Sequence, residues 1–408
     1  MSSPFRSALL VCALLGELFA DQVLIRAADA LPKKVSLIAQ FEKLELPPVA
    51  QGDRDVCSLF AITALAEFES RAAAATAPRL SEEYLIWASR EASGKKREQA
   101  MFYEALAGLD KLGICSADEM PYVKHAEPKA VPSLAAIAAA GKLGHRWHAE
   151  WIKRWSLDRP LSGAELEQVK AALAGGHPVA CGLRWPKELS GAELLDVPSA
   201  DRVFDGHSVV LVGYDDGKNG GQFQFRNSYG PKWGEHGYGT LSYAYARAYA
   251  NDAVSLRLEA AGEELPLVRY AAEKLPIAAQ EACDAHAQRM DAYERKLWTG
   301  GSQLLCVAKR GGFVEFNFDV ATAGRYRVRA LLTAAPDFAQ VRIGLDGHPA
   351  ADTDLYAGRV CPAGSVELGT HDLSAGPHRW RVTAVAKDPQ SKGFSFGIDT
   401  LDLLSAKP

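Results

Sequence analysis

The sequence predicts an α+β domain followed by an all-β sandwich of jelly-roll type. Three observations carry this. The run Val56 to Ala77 has no Gly or Pro and is rich in Ala and Leu, which predicts one long helix. Between Val209 and Phe225, two apolar runs flank the turn-rich stretch Asp215 to Gly221, which predicts a β-hairpin. From Phe313 onward, apolar residues alternate at period two between turn signals, as in an antiparallel sandwich.

The elements follow in order. Residues 1–30 have the pattern of an export signal: Arg6, an apolar run Ala8 to Leu15, and a small-residue cleavage site at Ala28-Asp29-Ala30. Glu17 interrupts the run short of the roughly 20 residues that a spanning helix needs. No later stretch is long and apolar enough to span. A secreted, periplasmic or cell-envelope protein is expected. Leu80-Ser81-Glu82-Glu83 opens a second helix with Ser81 as its cap. Ser162 to Ala174 is a third, ending at Gly175-Gly176 before a strand from Val179 to Leu183. The α+β domain is expected over residues 31–262. Residues 263–298 are expected to link, with a helix over Ala271 to Trp298, and the sandwich fills 299–408. Its inward faces are Val314, Phe316 and Phe318, then Tyr326, Val328 and Ala330. Val341, Ile343 and Leu345 precede an Asp346-Gly347 turn, and Trp380, Val382, Ala384, Phe394, Phe396 and Ile398 complete the set.

Composition narrows the function classes. Of 408 residues, 48% are hydrophobic and 24% charged, and the net charge of -4 offers no footprint for nucleic acid. The cysteines at 12, 57, 115, 181, 283, 306 and 361 show no paired metal-ligand spacing. Cys283 with Cys306 is one available bridge, and spacing leaves the pairing open.

Cys57 stands at the start of the first helix, where the positive end of the macrodipole favours thiolate and the backbone N–H is free to bind an oxyanion. Gln51, six positions earlier, offers a second donor. In the hairpin, His207 and Asn227 share the midpoint Gly217, so antiparallel pairing brings them together within a residue or two of register. An Asn carbonyl beside an imidazole fixes its tautomer, and Cys–His–Asn is a nucleophile–base–orienter set.

Gln51-Gly52, Cys57 and Phe60-Ala61 resemble the active-site segment of papain/cathepsin-like cysteine peptidases. Gly206-His207-Ser208-Val209 resembles the family's histidine strand, and Asn227-Ser228-Tyr229-Gly230 through Trp233-Gly234 and Tyr238 its asparagine segment. The resemblance covers residues 40 to 260. It implies a helical lobe and a β-rich lobe with the substrate cleft between them. It also implies peptide-bond hydrolysis through a Cys57 thioester, with His207 as base, Asn227 orienting it, Gln51 in the oxyanion hole, and no metal or organic cofactor. Asp55, Gly206, Tyr229 and Trp233 would support the site. There are departures. Arg54 stands where the family has a disulfide cysteine, Asp55 puts a carboxylate beside the nucleophile, and Tyr229 replaces a shielding tryptophan. No Gly-Gly wall is evident near Gly94-Lys95, and no long propeptide fits before Gln51. Acyl transfer by the same residues, or an inactive papain-like binding protein, are the alternatives.

Trp298-Thr299-Gly300-Gly301, Gly324-Arg325-Tyr326, Leu345-Asp346-Gly347 and Gly397-Ile398-Asp399 are similar to segments of galactose-binding-like and carbohydrate-binding jelly rolls. That resemblance implies glycan or a cell-envelope polymer as a partner. Trp298, Trp380 and Tyr356 are the candidate platform, and a structural sandwich without ligand is the other reading.

Overall fold

The computed structural model describes residues 31–125, 130–142, 147–188, 194–218, 220–258 and 267–405. The export-signal segment lies outside the described residues. The α+β domain opens with β1 (Lys34–Ser36) and α1 (Ile38–Lys43), then the long α2 (Cys57–Ala73). Residues 58 to 70 of α2 are all buried, so this helix is the axis of the domain core. It stops at Ala73, earlier than the sequence pattern implies. Ala74 is already extended, and Ala77 is held out of helix by the following Pro78.

Next come α3 (Glu82–Ser93), α4 (Phe102–Leu112), α5 (Leu134–Gly141), β2 (Trp147–Lys153) and α6 (Gly163–Ala174). The Ser81 hydroxyl accepts from Tyr84 N at 2.9 Å and caps α3, which ends at Gly94 with φ +77°. Ser162 and Glu165 close a capping box on α6. Then follow β3 (Val179–Pro186), β4 (Val203–Asp215), β5 (Gln222–Arg226), β6 (Tyr238–Ser242), α7 (Tyr243–Tyr249) and β7 (Ala250–Leu258). The strands form one antiparallel sheet in the order β2-β7-β3-β4-β5-β6, with β1 on β4. α2 packs across β3, β4 and β7.

The hairpin forms as expected, to within two residues of the expected register. Val210 pairs with Arg226, and beyond a bulge Gly213 pairs with Gln224. Carried on, this sets Tyr229 level with His207 and leaves Asn227 just past the end of β5.

The β domain comprises β8 (Leu267–Ala271), β9 (Ile277–Arg289), β10 (Ser302–Val320), β11 (Gly324–Ala334), β12 (Gln340–Leu345), β13 (His348–Asp354), β14 (Cys361–Leu373), β15 (Gly376–Ala386) and β16 (Phe396–Ser405). They make one rolled antiparallel sheet, nearly barrel-like, in the order β13-β12-β15-β10-β16-β11-β14, with β8 on β16 and β9 on β10. The expected linker over 263–298 is corrected here. Residues 263–266 lie outside the described residues, and in place of a helix the segment gives β8 and β9. The Ala- and Gln-rich composition of β9 favours helix, but pairing along β10 from Ser302 to Phe316 overrides it. Every inward residue expected from the alternation is buried except Phe394, which is half-buried. Asp346 and Gly347 both have positive φ, as a tight two-residue turn requires.

The two domains share a seam. Tyr103 of α4 is buried within the core of the β domain. Gly358 N donates to Trp155 O at 2.7 Å, Arg154 donates to Asp354 O and Ala363 O, and Lys111 Nζ to Lys296 O. Lys95 bridges Glu104 and Glu294 across it.

Candidate active site

Cys57 is the first residue of α2, with its Sγ 3.7 Å from Gly206 O. Burial pushes the thiol up. Hydrogen bonds from Ser208 and the Ser58 backbone pull it down, and the charge of Asp55 pushes it up again. Asp55 is exposed and accepts from Gln99 Nε2 at 2.7 Å. Gly206 has φ +110°, a conformation open to glycine, which lets its carbonyl approach the sulfur.

Gln51 is held from three sides. Its Nε2 donates to Arg54 O at 2.6 Å, which identifies that atom as the amide nitrogen, since a carbonyl only accepts. Its Oε1 accepts from Ser228 Oγ at 2.6 Å, and its backbone carbonyl from Tyr122 Oη at 2.5 Å. One amide hydrogen remains, on a side chain lining the same cleft as Cys57.

Arg54 is a buried hub behind this loop. It forks onto Glu83 at 2.5 and 3.1 Å and onto Glu98 at 2.8 and 3.0 Å, reaches Val123 O, and lies over the Tyr122 ring. Burial pulls its pKa down, but the bonds and charges of Glu83 and Glu98 outweigh this and the net shift is upward. The structure thus supplies a buried ion-pair junction at the disulfide-type position.

His207 on β4 is 4% exposed and packs between Trp185 at 4.4 Å and Tyr229 at 4.9 Å, the latter stacked. Trp233 meets Tyr229 edge-on and braces it. Asn227 Oδ1 lies 2.8 Å from His207 Nε2 and also accepts from Ser228 N, which fixes it as the oxygen. Nε2 therefore donates, and Nδ1 of the neutral ring keeps its lone pair. Burial pushes the imidazole down to about 4, against a smaller upward pull from Asn227. The resting pair is therefore biased toward thiol and neutral imidazole.

Gln51, Asp55, Cys57, Gly206, His207 and Tyr229 all line one cleft of about 440 Å³. Asn227 stands behind His207 and Trp233 behind Tyr229. Sequence reasoning missed Trp185, because the β3 pattern was followed only to Leu183. It also missed Phe102, Trp155 and Asp252 on the cleft walls, which carry no motif. Among the described residues no group of His, Cys, Asp or Glu is set to hold a metal ion.

The papain family cysteine protease model matches residues 46–255, half of the chain. The chain belongs to the papain family of cysteine proteases. Membership makes it a cysteine-type peptidase by family, and the matched span contains the whole constellation. A segment of 86 residues is 30% identical to an uncharacterized peptidase C1-like protein of Acanthamoeba polyphaga mimivirus, covering 20% of this chain. The chain spans only 27% of that relative's length. Xylellain, a cysteine protease from Xylella fastidiosa, is 26% identical, with TM-score 0.47 over 57% of this chain and 88% of its own. The cysteine protease and lectin-like domains of Cwp84, a surface layer associated protein of Clostridium difficile, match both domains of this papain-family chain. They cover 92% of it and 89% of their own length, with TM-score 0.54 and 13% identity. That likeness is one of fold: a papain-like domain followed by a β domain.

Proposed function

We propose that this protein hydrolyses peptide bonds through a thioester on Cys57, with His207, Asn227 and Gln51 as its partners. One observation carries the reading: the 2.8 Å bond from His207 to Asn227 leaves Nδ1 as acceptor in the cleft that Cys57 lines. His207 takes the thiol proton as the sulfur adds to the substrate carbonyl. The remaining Gln51 amide hydrogen and the Cys57 N–H stabilise the oxyanion. Protonated His207 gives its proton to the leaving amine, then activates water to release the acid. Labelling with a peptidyl epoxide, followed by peptide mapping, tests this. The expected adduct is on Cys57 alone. Labelling at another residue, or peptide turnover retained in Cys57→Ala, refutes the mechanism. Transfer of the acyl group to an added amine in preference to water would make the enzyme a transferase.

The same proposal includes export and targeting. Residues 1–30 direct export, residues 31–262 form the peptidase domain, and the β domain, with β8 and β9 added to 299–408, directs it to glycan or a cell-envelope polymer. The jelly-roll-like segments of the sequence and the fold shared with the protease and lectin-like domains of Cwp84 support this reading. All three candidate platform residues are buried, Trp380 fully, Trp298 at 3% and Tyr356 at 9% exposure, so none of them forms an exposed sugar platform. Retention of the full chain on insoluble envelope polysaccharide is the expected result, and no retention on any such fraction refutes targeting.

A further inference from the structure

The catalytic cleft has one wall that the peptidase domain does not hold alone. Trp155, half-buried, lines the cleft and belongs to the segment that leaves β2 at Lys153. From the peptidase side, Lys153 ties this segment. Its buried Nζ donates to Ser156 O at 3.0 Å and to Asn251 O at 2.5 Å, and Ser156 N donates to Asn251 O at 2.9 Å. Asn251 lines the same cleft. These bonds hold the backbone beside Trp155 and leave its own carbonyl and its ring to other partners.

Both of those partners come from the β domain, from the connection between β13 and β14. Gly358 N donates to Trp155 O at 2.7 Å. The Arg359 guanidinium lies 5.7 Å from the centre of the Trp155 ring and equally far from that of Tyr103 on α4. Glu294 holds Arg359 from 3.7 Å, and Lys95 binds the same carboxylate at 2.8 Å. The backbones fit closely: a Cβ at Gly358 would stand 3.0 Å from Ser156 Cα, tighter than ordinary van der Waals contact. One residue upstream of Trp155, Arg154 donates to Asp354 O and Ala363 O, on the two strands that flank the connection. A free ring on a cleft wall has to be ordered by each substrate that packs on it, at a cost in binding. A ring already clamped does not.

We infer that Gly358 and Arg359 are positioning residues of the peptidase: the β domain clamps Trp155 and thereby sets how the cleft grips its substrate. The inference rests on the peptide-hydrolysis reading above for the nature of that substrate. It gives the β domain a part in the reaction that needs no glycan. The test is steady-state hydrolysis by the full chain of short peptides that differ in one side chain at a time. Arg359→Ala should raise KM for the best peptide about threefold to tenfold. It should leave kcat unchanged, and also the rate of Cys57 alkylation by iodoacetamide, since so small a reagent needs no wall. Gly358→Ala presses on Ser156 from outside and should change KM across the same panel, which keeps the inference open to test should Arg359→Ala fail to fold. In a Trp155→Ala background, Arg359→Ala should add nothing further, whereas a merely structural role would add its loss in full. Unchanged KM in whichever of the two variants folds, additive losses in the double variant, or a fall in kcat at constant KM overturns the inference. Binding of the same peptides to the Cys57→Ala chain separates it from the hydrolysis reading. If the wild type turns over no peptide but Cys57→Ala binds them and Arg359→Ala weakens that binding, hydrolysis falls and the clamp stands. Peptides bound alike with and without Arg359→Ala, or not bound at all, overturn the clamp.

Discussion

At the scale of single residues, the site is a set of groups whose neighbours decide their protonation. Cys57→Ala should abolish turnover in a peptide assay without unfolding the chain. Gln51→Ala should lower kcat by about 10²-fold or more, the loss typical of one oxyanion donor, and Asn227→Ala should cost less, since it only orients. Asp55 is exposed and pushes the Cys57 thiol up, so Asp55→Asn should speed alkylation by iodoacetamide near neutral pH. The gain should be a few-fold at low salt and shrink as salt screens the charge. His207 gives a prediction about stability. Burial holds it down at about 4 against an ordinary 6.5. The unfolded chain takes a proton as pH falls through about 6.5, and the folded chain does not until about 4. Stability is therefore full above about 6.5 and is lost on the way down to about 4, by about 3 kcal/mol. Urea unfolding across that interval measures it, and His207→Gln should flatten the slope.

At the scale of elements, the loop before α2 and the hairpin carry the site. Arg54 ties that loop to Glu83 on α3 and to Glu98. Arg54→Ala leaves two buried or half-buried carboxylates facing each other and should cost about 3–5 kcal/mol in urea unfolding. Much of this level was legible in the sequence. Cys57 at a helix start, Ser81 as a cap, and Asp346-Gly347 as a turn all follow from local chemistry, and all stand in the structure. The hairpin was legible in existence and in register to within two residues; the offset arises at the turn, which is centred beyond Gly217 because Asp215 pairs with Gln222, and turn composition does not fix that centre. The shift puts Tyr229 on the face of His207, while Asn227 reaches the ring from past the strand end. β9 was misread for a different reason. Its Ala and Gln residues prefer helix locally, and only the long partner β10 makes it a strand. Arg54 was read as the loss of a bridge, since nothing near it in sequence names Glu83 and Glu98 as partners.

At the scale of the whole molecule, α4 belongs to both domains. Its Phe102 lines the catalytic cleft, while its Tyr103 is buried in the β domain core. Calorimetry should therefore show one cooperative transition, and Tyr103→Ala should lower stability by about 3 kcal/mol, as for other buried aromatics. Two well-separated transitions would mean that the seam couples nothing. Adjacent residues facing two different cores also bear on how such a chain is inherited. A β domain exchanged by recombination would arrive without a socket for Tyr103 and without carbonyls for Arg154 and Lys111. The newcomer would have to rebuild a helix that also walls the peptidase cleft. Such a pair drifts as one lineage, each half tolerating only those changes that its neighbour can absorb.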